Sequence, residues 1–353
     1  MNARRGPDAR NEPSASDAPY VANEPDAPSA CRWTPVGWAE NGEVRLAYDQ
    51  LAGGEGGEGA EPLLLITGLG ACRLWLPDGL CQVLAARGFA VARYDPRDAG
   101  QSTHLPPTAT RNPLAALFGR RGEAYTAEDM ADDAIAVMDA LGWRSAHLFG
   151  QSLGGAVAQR VAVRHPGRVR TLTSMSAIPG DAAGLQALRY VRLRTLARFA
   201  RLKFPDTAEG DVAAGVAVAR LLASPARPFD ERAARESAVR IADNGIRDPQ
   251  AQSRQIGAQW HGPDIEAIRV PTLVLHGADD PLIRPSGGRR TAGRIPGARG
   301  VTLPGVGHDL PEEQWEVIAT EIRRLADGPG ASDAGTGADN GTGGRERRRG
   351  GER

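Results

Sequence analysis

Lysine is all but missing from this chain: of its 43 basic residues, only Lys203 is not an arginine. Beside the abundance of alanine, glycine and proline, this reads as the imprint of a GC-rich genome and assigns no partner. An excess of one charge sign is missing too. The 43 Lys and Arg balance 43 Asp and Glu, for a formal net charge of +0, so no general field draws nucleic acid or an anionic membrane. Cysteine is scarce. Cys31, Cys72 and Cys81 form neither a metal spacing nor a C-x-x-C pair, and an odd, low count without a secretion signal favours a reducing cytoplasm. The start, Met1 to Pro7, holds the pair Arg4-Arg5, but no apolar run follows it, so a secretory or twin-arginine reading fails. No apolar stretch approaches the ~20 residues that span a bilayer. Nothing in the sequence assigns an oligomeric state.

What is present is a core-forming composition. With 353 residues and 41% hydrophobic side chains, the chain suits one large α/β domain or two small ones. Residues 1–30 and 327–353 carry almost no large apolar side chains and read as disordered tails. The closing run Arg345-Glu346-Arg347-Arg348-Arg349 reads as part of a solvated tail. Between the tails, strands and helices alternate. Asn41-Gly42 before the alternating Val44–Tyr48 predicts a hairpin. The run Pro62–Thr67 is continuously apolar, as a strand buried on both faces should be. Further strands are expected at 89–94, 146–149, 169–175, 272–276 and 300–303. Helices are expected at about 75–87, after a Thr126-x-x-Asp129 capping box, after Ser152, and from Pro311 onward, burying Trp315, Ile318, Ile322 and Leu325. The pattern predicts a mostly parallel eight-stranded sheet with helices on both faces.

One segment breaks the alternation. Residues 179–262 contain no convincing strand. Leu185, Leu188, Val191, Leu196, Phe199 and Leu202 recur at helical spacing, with Arg194, Arg198 and Arg201 on another face. Pro205, Pro225, Pro228 and Pro249 divide the segment into about four helices. It reads as a helical cap inserted after the sixth strand, between core portions 31–178 and 263–326, over the carboxyl ends of the sheet.

Gly150-Gln151-Ser152-Leu153-Gly154 spells G-x-S-x-G between a predicted strand and a predicted helix, the setting that forces a serine out on a strained turn. A serine hydroxyl needs a base, and the base an orienting acid. Of six histidines, His308 alone sits in a loop between the last strand and the last helix, at the edge where the elbow emerges. His276 and His147 read as packing residues, His104 and His261 as loop residues, and His165 as a helix end. For the acid, Asp279 and Asp280 follow the strand before last. Asp280, which precedes Pro281, takes the role ahead of Asp279. The oxyanion donors fall to the backbone N–H groups of Leu153 and of Leu69, in the turn Thr67-Gly68-Leu69-Gly70.

Together with Tyr94-Asp95-Pro96-Arg97-Asp98-Ala99-Gly100-Gln101-Ser102 and Gly277-Ala278-Asp279-Asp280-Pro281, these motifs resemble, in order and spacing, the α/β-hydrolase superfamily over roughly residues 35–326. The Arg93–Ser102 and Leu303–Pro311 runs are similar to those of bacterial aclacinomycin methylesterase-like esterases. The resemblance implies the α/β-hydrolase fold and a serine hydrolase that cleaves a carboxylic ester, such as the methyl ester of a small or polyketide-like molecule, with no metal or organic cofactor. A thioesterase, lactonase, amidase, C–C hydrolase or perhydrolase would use the same triad. A small-ligand-binding module without turnover is the reading from another class. Serine at the elbow argues against dehalogenase and epoxide hydrolase chemistry. Two positions depart from the common pattern: Thr67 stands where many members have histidine, and Asp98 where many have glycine.

Overall fold

Pairing between strands distant in sequence organises the chain. The structure is a computed structural model describing residues 32–52, 59–106, 124–244, 248 and 250–328. The expectations for the two tails, including Cys31 and the terminal arginine run, fall outside these residues, except at 327 and 328, where Asp327 still belongs to the last helix and Gly328 follows it. Nine strands join in one sheet: β1 (Arg32–Trp33), β2 (Gly37–Asn41), β3 (Val44–Ala52), β4 (Glu61–Ile66), β5 (Phe89–Tyr94), β6 (Ala146–Gln151), β7 (Val169–Met175), β8 (Thr272–Gly277) and β9 (Arg299–Leu303). Their order is β1-β3-β5-β4-β6-β7-β8-β9, with β2 paired to β3 off this path. The strands from β5 through β9 are parallel, and β1, β2 and β3 join antiparallel. The strand beyond the expected eight is β1, whose two residues pair with Leu51 and Ala52 and are too few to leave an alternation in the sequence.

Parallel neighbours require crossovers, and helices supply them. These are α1 (Asp78–Ala86), α2 (Ala127–Ala140), α3 (Leu153–Arg164), α4 (Gly184–Leu188), α5 (Leu193–Phe199), α6 (Ala208–Leu222), α7 (Glu231–Asn244), α8 (Ala251–Gly257), α9 (Pro285–Arg294) and α10 (Trp315–Asp327). The expected capping box is formed at α2: Asp129 N–H donates to Thr126 Oγ1 and Thr126 N–H to the Asp129 carboxylate. Two helix starts lie later than expected. A 3-10 turn at Arg73–Trp75 precedes α1, and another at Glu312–Gln314 precedes α10.

Strand β4 shows why its sequence is continuously apolar. Leu63 and Leu65 belong to one core with Leu80 and Leu84 of α1 and Ile318 and Ile322 of α10. Leu64 and Ile66 belong to the opposite core with Met130 and Val137 of α2 and Val157 and Val161 of α3. Successive side chains point to opposite faces, and each fully buried leucine contributes about 1.5–3 kcal/mol.

Between β7 and β8 the described residues hold five helices, α4 to α8, rather than about four. The leucine spacing over 185–202 predicts more continuity than exists. The chain leaves the helix at Arg189, Val191 forms an isolated bridge to Ile283, and Arg192 N–H donates to the Leu282 carbonyl at 2.8 Å. Pairing with the β8–α9 loop overrides local helical preference there, and Leu185, within α4, is 72% exposed.

Candidate active site

The nucleophile candidate sits where β6 passes into α3. Ser152 has φ 57° and ψ −121°, a conformation a non-glycine residue holds only when its surroundings impose it. Its N–H donates to the Met175 carbonyl at 2.8 Å, and its carbonyl accepts from Gly155 N–H at 3.0 Å. The flanking glycines are steric requirements. A Cβ on Gly150 would lie 2.1 Å from the Gly154 carbonyl oxygen, and one on Gly154 would lie 2.2 Å from the Ile66 carbonyl oxygen. The turn is therefore pressed against its own helix on one side and against the end of β4 on the other. The Leu153 N–H opens α3, where the first amides have no intrahelical partner.

The β4 end carries the second loop. A Cβ built on Gly68 would stand 3.2 Å from Ser152 Cβ and 3.6 Å from its Oγ, so the Thr67–Gly70 turn lies beside the serine. Thr67 is buried and donates from Oγ1 to the Ala71 carbonyl at 2.8 Å. That bond closes the loop on itself and explains how threonine serves at this position.

His308 and Asp280 meet directly. The His308 Nδ1 to Asp280 Oδ2 distance is 2.7 Å, with the side chains 4% and 0% exposed. Asp280 Oδ1 accepts from the N–H groups of Leu282 at 2.8 Å and Ile283 at 2.7 Å. Burial opposes ionisation of Asp280, but His308 and His276 together hold its carboxyl well below the usual carboxylate range. With Asp280 ionised, Nδ1 carries the imidazole proton and Nε2 is left as an acceptor. The loop bearing His308 is joined to the elbow through Gln151, whose Nε2 donates to the His308 carbonyl at 2.9 Å. Asp279 is half-buried and gives its N–H to the Val306 carbonyl at 3.0 Å.

The other histidines lie elsewhere, with one partial exception. His147 packs edge-on to Phe89 and contacts Thr171 Oγ1 at 2.8 Å; burial lowers its pKa. His165 meets Asp132 at 2.6 Å, His104 lies 3.2 Å from Asp248, and His261 is exposed. His276, read from the sequence as packing, is buried, but its Nε2 also stands 3.4 Å from Asp280 Oδ2. The i, i+4 spacing across a strand end gives no hint of that contact.

Asp98, the second departure, adopts φ 64°, which accounts for the glycine common there. What retains the aspartate is Arg254 of α8. Its Nε and Nη2 donate to the two Asp98 oxygens at 2.8 and 2.7 Å, and it also pairs with Asp248. Asp98, His104 and Asp248 bring metal-ligand atom types within 4.8 Å of one another, but the Arg254 guanidinium already supplies the positive charge there. The 179–262 segment also reaches the loops of His308 and Asp280: His308 N–H donates to the Leu222 carbonyl at 2.8 Å, and Arg192 Nε donates to the Asp280 carbonyl at 2.9 Å.

A strand-turn-helix serine, a histidine after the last strand and a buried aspartate after the strand before it define a class of protein. The model of the alpha/beta hydrolase fold matches residues 61–314, and the chain belongs to that family. Among its relatives, rhodomycin D methylesterase DauP of Streptomyces sp. (strain C5) is 32% identical over 280 residues, covering 74% of this chain and 89% of that protein. Rhodomycin D methylesterase DnrP of Streptomyces peucetius is 30% identical over 306 residues, covering 82% and 97%. The fold is shared with the enol-lactonase from Burkholderia xenovorans LB400, at TM-score 0.58 and 22% identity over 82% of this chain and 100% of that one. No helix among the described residues is long and apolar enough to cross a membrane.

Proposed function

We propose that the protein is a serine esterase that cleaves a carboxylic ester through an acyl-enzyme. The observation that carries this reading is the buried 2.7 Å contact between His308 and Asp280, on a loop that Gln151 ties to the strained Ser152 turn. Ser152 Oγ attacks the ester carbonyl while His308 Nε2 takes its proton. The oxyanion is received by the Leu153 and Leu69 N–H groups. His308 then donates the proton to the leaving alcohol, and water, deprotonated by the same nitrogen, releases the acid from Ser152. Asp280 holds the imidazole in the required tautomer and stabilises the imidazolium. This chemistry calls on protein groups alone.

The 179–262 segment acts as the cap over a core made of 31–178 and 263–326. Its connections to the Asp98, Asp280 and His308 loops support that role. The DauP and DnrP names favour a methyl ester on a polyketide-like acid as the substrate class. The reducing cytoplasm remains the proposed location; Cys72 and Cys81 are free and buried.

Fluorophosphonate labelling followed by peptide mass mapping, with turnover of a panel of methyl and short-chain esters, tests the reading. Wild type is expected to label at Ser152 and to turn over esters, whereas Ser152→Ala does neither and stays folded. Folded wild type that neither labels nor turns over would remove the esterase reading and leave ligand binding without chemistry.

A further inference from the structure

Helix α8 grips the loop beside the serine. Gln255 is buried, with 2% of its surface exposed, and both ends of its amide are engaged. Oε1 accepts from Gly70 N–H at 2.8 Å, and Nε2 donates to the Arg97 carbonyl at 2.9 Å. One turn earlier, Gln252 lies against the same residue: a Cβ on Gly70 would be 2.8 Å from its Nε2. Gly70 has φ +66° and, as a glycine, little intrinsic stiffness. The helix itself is anchored by the buried two-pronged pair of Arg254 with Asp98, whose Oδ1 also accepts from Leu105 N–H at 2.8 Å. Arg97, Asp98 and Gly70 thus all meet one short helix from the segment between β7 and β8.

We propose that Gln255 is a positioning residue for the oxyanion donor, supplied by the cap rather than by the hydrolase core. The inference rests on the serine-esterase reading above. The Gly70 N–H belongs to the peptide unit that follows Leu69. Holding that unit anchors the Leu69 Cα and carbonyl carbon, so the φ and ψ of Leu69 swing its N–H against a fixed frame instead of a moving one. The Thr67–Ala71 bond restrains the loop within itself, and Gln255 restrains it from across the site. A donor held before reaction stabilises developing charge without reorganising. An unrestrained Gly70 would let that donor wander, and misplacement by about 1 Å lowers rates by as much as about a hundredfold. Because the donor's orientation then depends on where α8 sits, cap placement and oxyanion stabilisation are mechanically joined.

The test is Gln255→Met, which keeps length and volume but accepts no comparable hydrogen bond, beside Gln255→Asn, which keeps the amide but is one methylene too short to reach Gly70. Both are compared with wild type for kcat and KM on p-nitrophenyl acetate, for the second-order rate of fluorophosphonate labelling, and for thermal midpoint. The expected result is a fall of about ten- to a hundredfold in kcat and in labelling rate together, with KM within about twofold. A variant with lowered kcat that labels as fast as wild type would overturn the proposal, since the phosphonyl oxygen occupies the same donors. So would either folded variant keeping wild-type kcat. A wild type that neither labels nor turns over would instead defeat the esterase reading itself, so the two failures are distinguishable.

Discussion

At the scale of single residues, the pair Asp279 and Asp280 shows how burial separates adjacent identical side chains. Asp280 is fully buried, accepts two backbone N–H bonds on one oxygen, and meets His308 with the other. Asp279 is half-buried, and its backbone N–H goes to Val306. Asp280→Asn is expected to lower kcat by about 10³- to 10⁴-fold, because an amide at the Oδ2 position presents a donor or a weaker acceptor to Nδ1 and favours the wrong tautomer. Asp279→Asn should stay within about threefold of wild type. Steady-state kinetics of the two variants checks this, and the reverse order would move the acid to Asp279. The sequence puts Asp280 forward by its place before Pro281 and three residues after Gly277. It gives no sign of the second histidine on the same carboxylate, His276, because its contact depends on how β8 ends.

At the scale of elements, the elbow and α8 make a contrast. The elbow's signal is local, because strand, glycine, serine, glycine and helix follow one another, although the close contacts that hold the turn come both from its own helix and from the end of β4. Helix α8 matters through partners far away in the chain. Arg254 and Asp98 are 156 residues apart, and the pair explains both the aspartate at a glycine-like position and the placement of the helix. Arg254→Met leaves the Asp98 charge buried without its partner and is expected to destabilise the protein by about 3–5 kcal/mol. Adding Asp98→Gly removes that charge and suits the φ of 64°, so the double variant should regain much of the loss. Denaturant melts of wild type, both single variants and the double variant check it. Additive single effects would show that the two residues do not act as a pair.

At the scale of the whole molecule, the buried carboxylate of Asp280 couples the candidate site to acid stability. The folded pKa of Asp280 lies below the ordinary carboxylate value of about 3.8, so the folded state binds fewer protons than the unfolded one as the pH drops past that value. Its contribution to stability is present in full above about 3.8 and is lost as the pH falls toward the folded pKa. The thermal-midpoint gap between wild type and Asp280→Asn is therefore expected to narrow on going from about pH 6 to about pH 3. A gap that stays constant or widens would mean that the carboxylate gains nothing from folding. Asp95 and Asp133 shift the other way, because burial outweighs Arg73 and Arg97 respectively. The comparison with the Asp280 variant holds those groups constant.

The sequence by itself determined the parallel core, the elbow, the histidine loop and the family. Those signals are periodicity, glycine placement and motif order, which are local properties repeated along the chain. Tertiary structure decided what depends on distant segments. It ended the helix at Arg189 in favour of pairing with the β8–α9 loop, added the two-residue β1 to the sheet edge, and retained Asp98 through Arg254. It also set Gln255 against Gly70. A hydrogen bond or ion pair across 150 residues leaves no period for a single sequence to show. Its energy belongs to neither partner alone, and only the folded chain brings the two together.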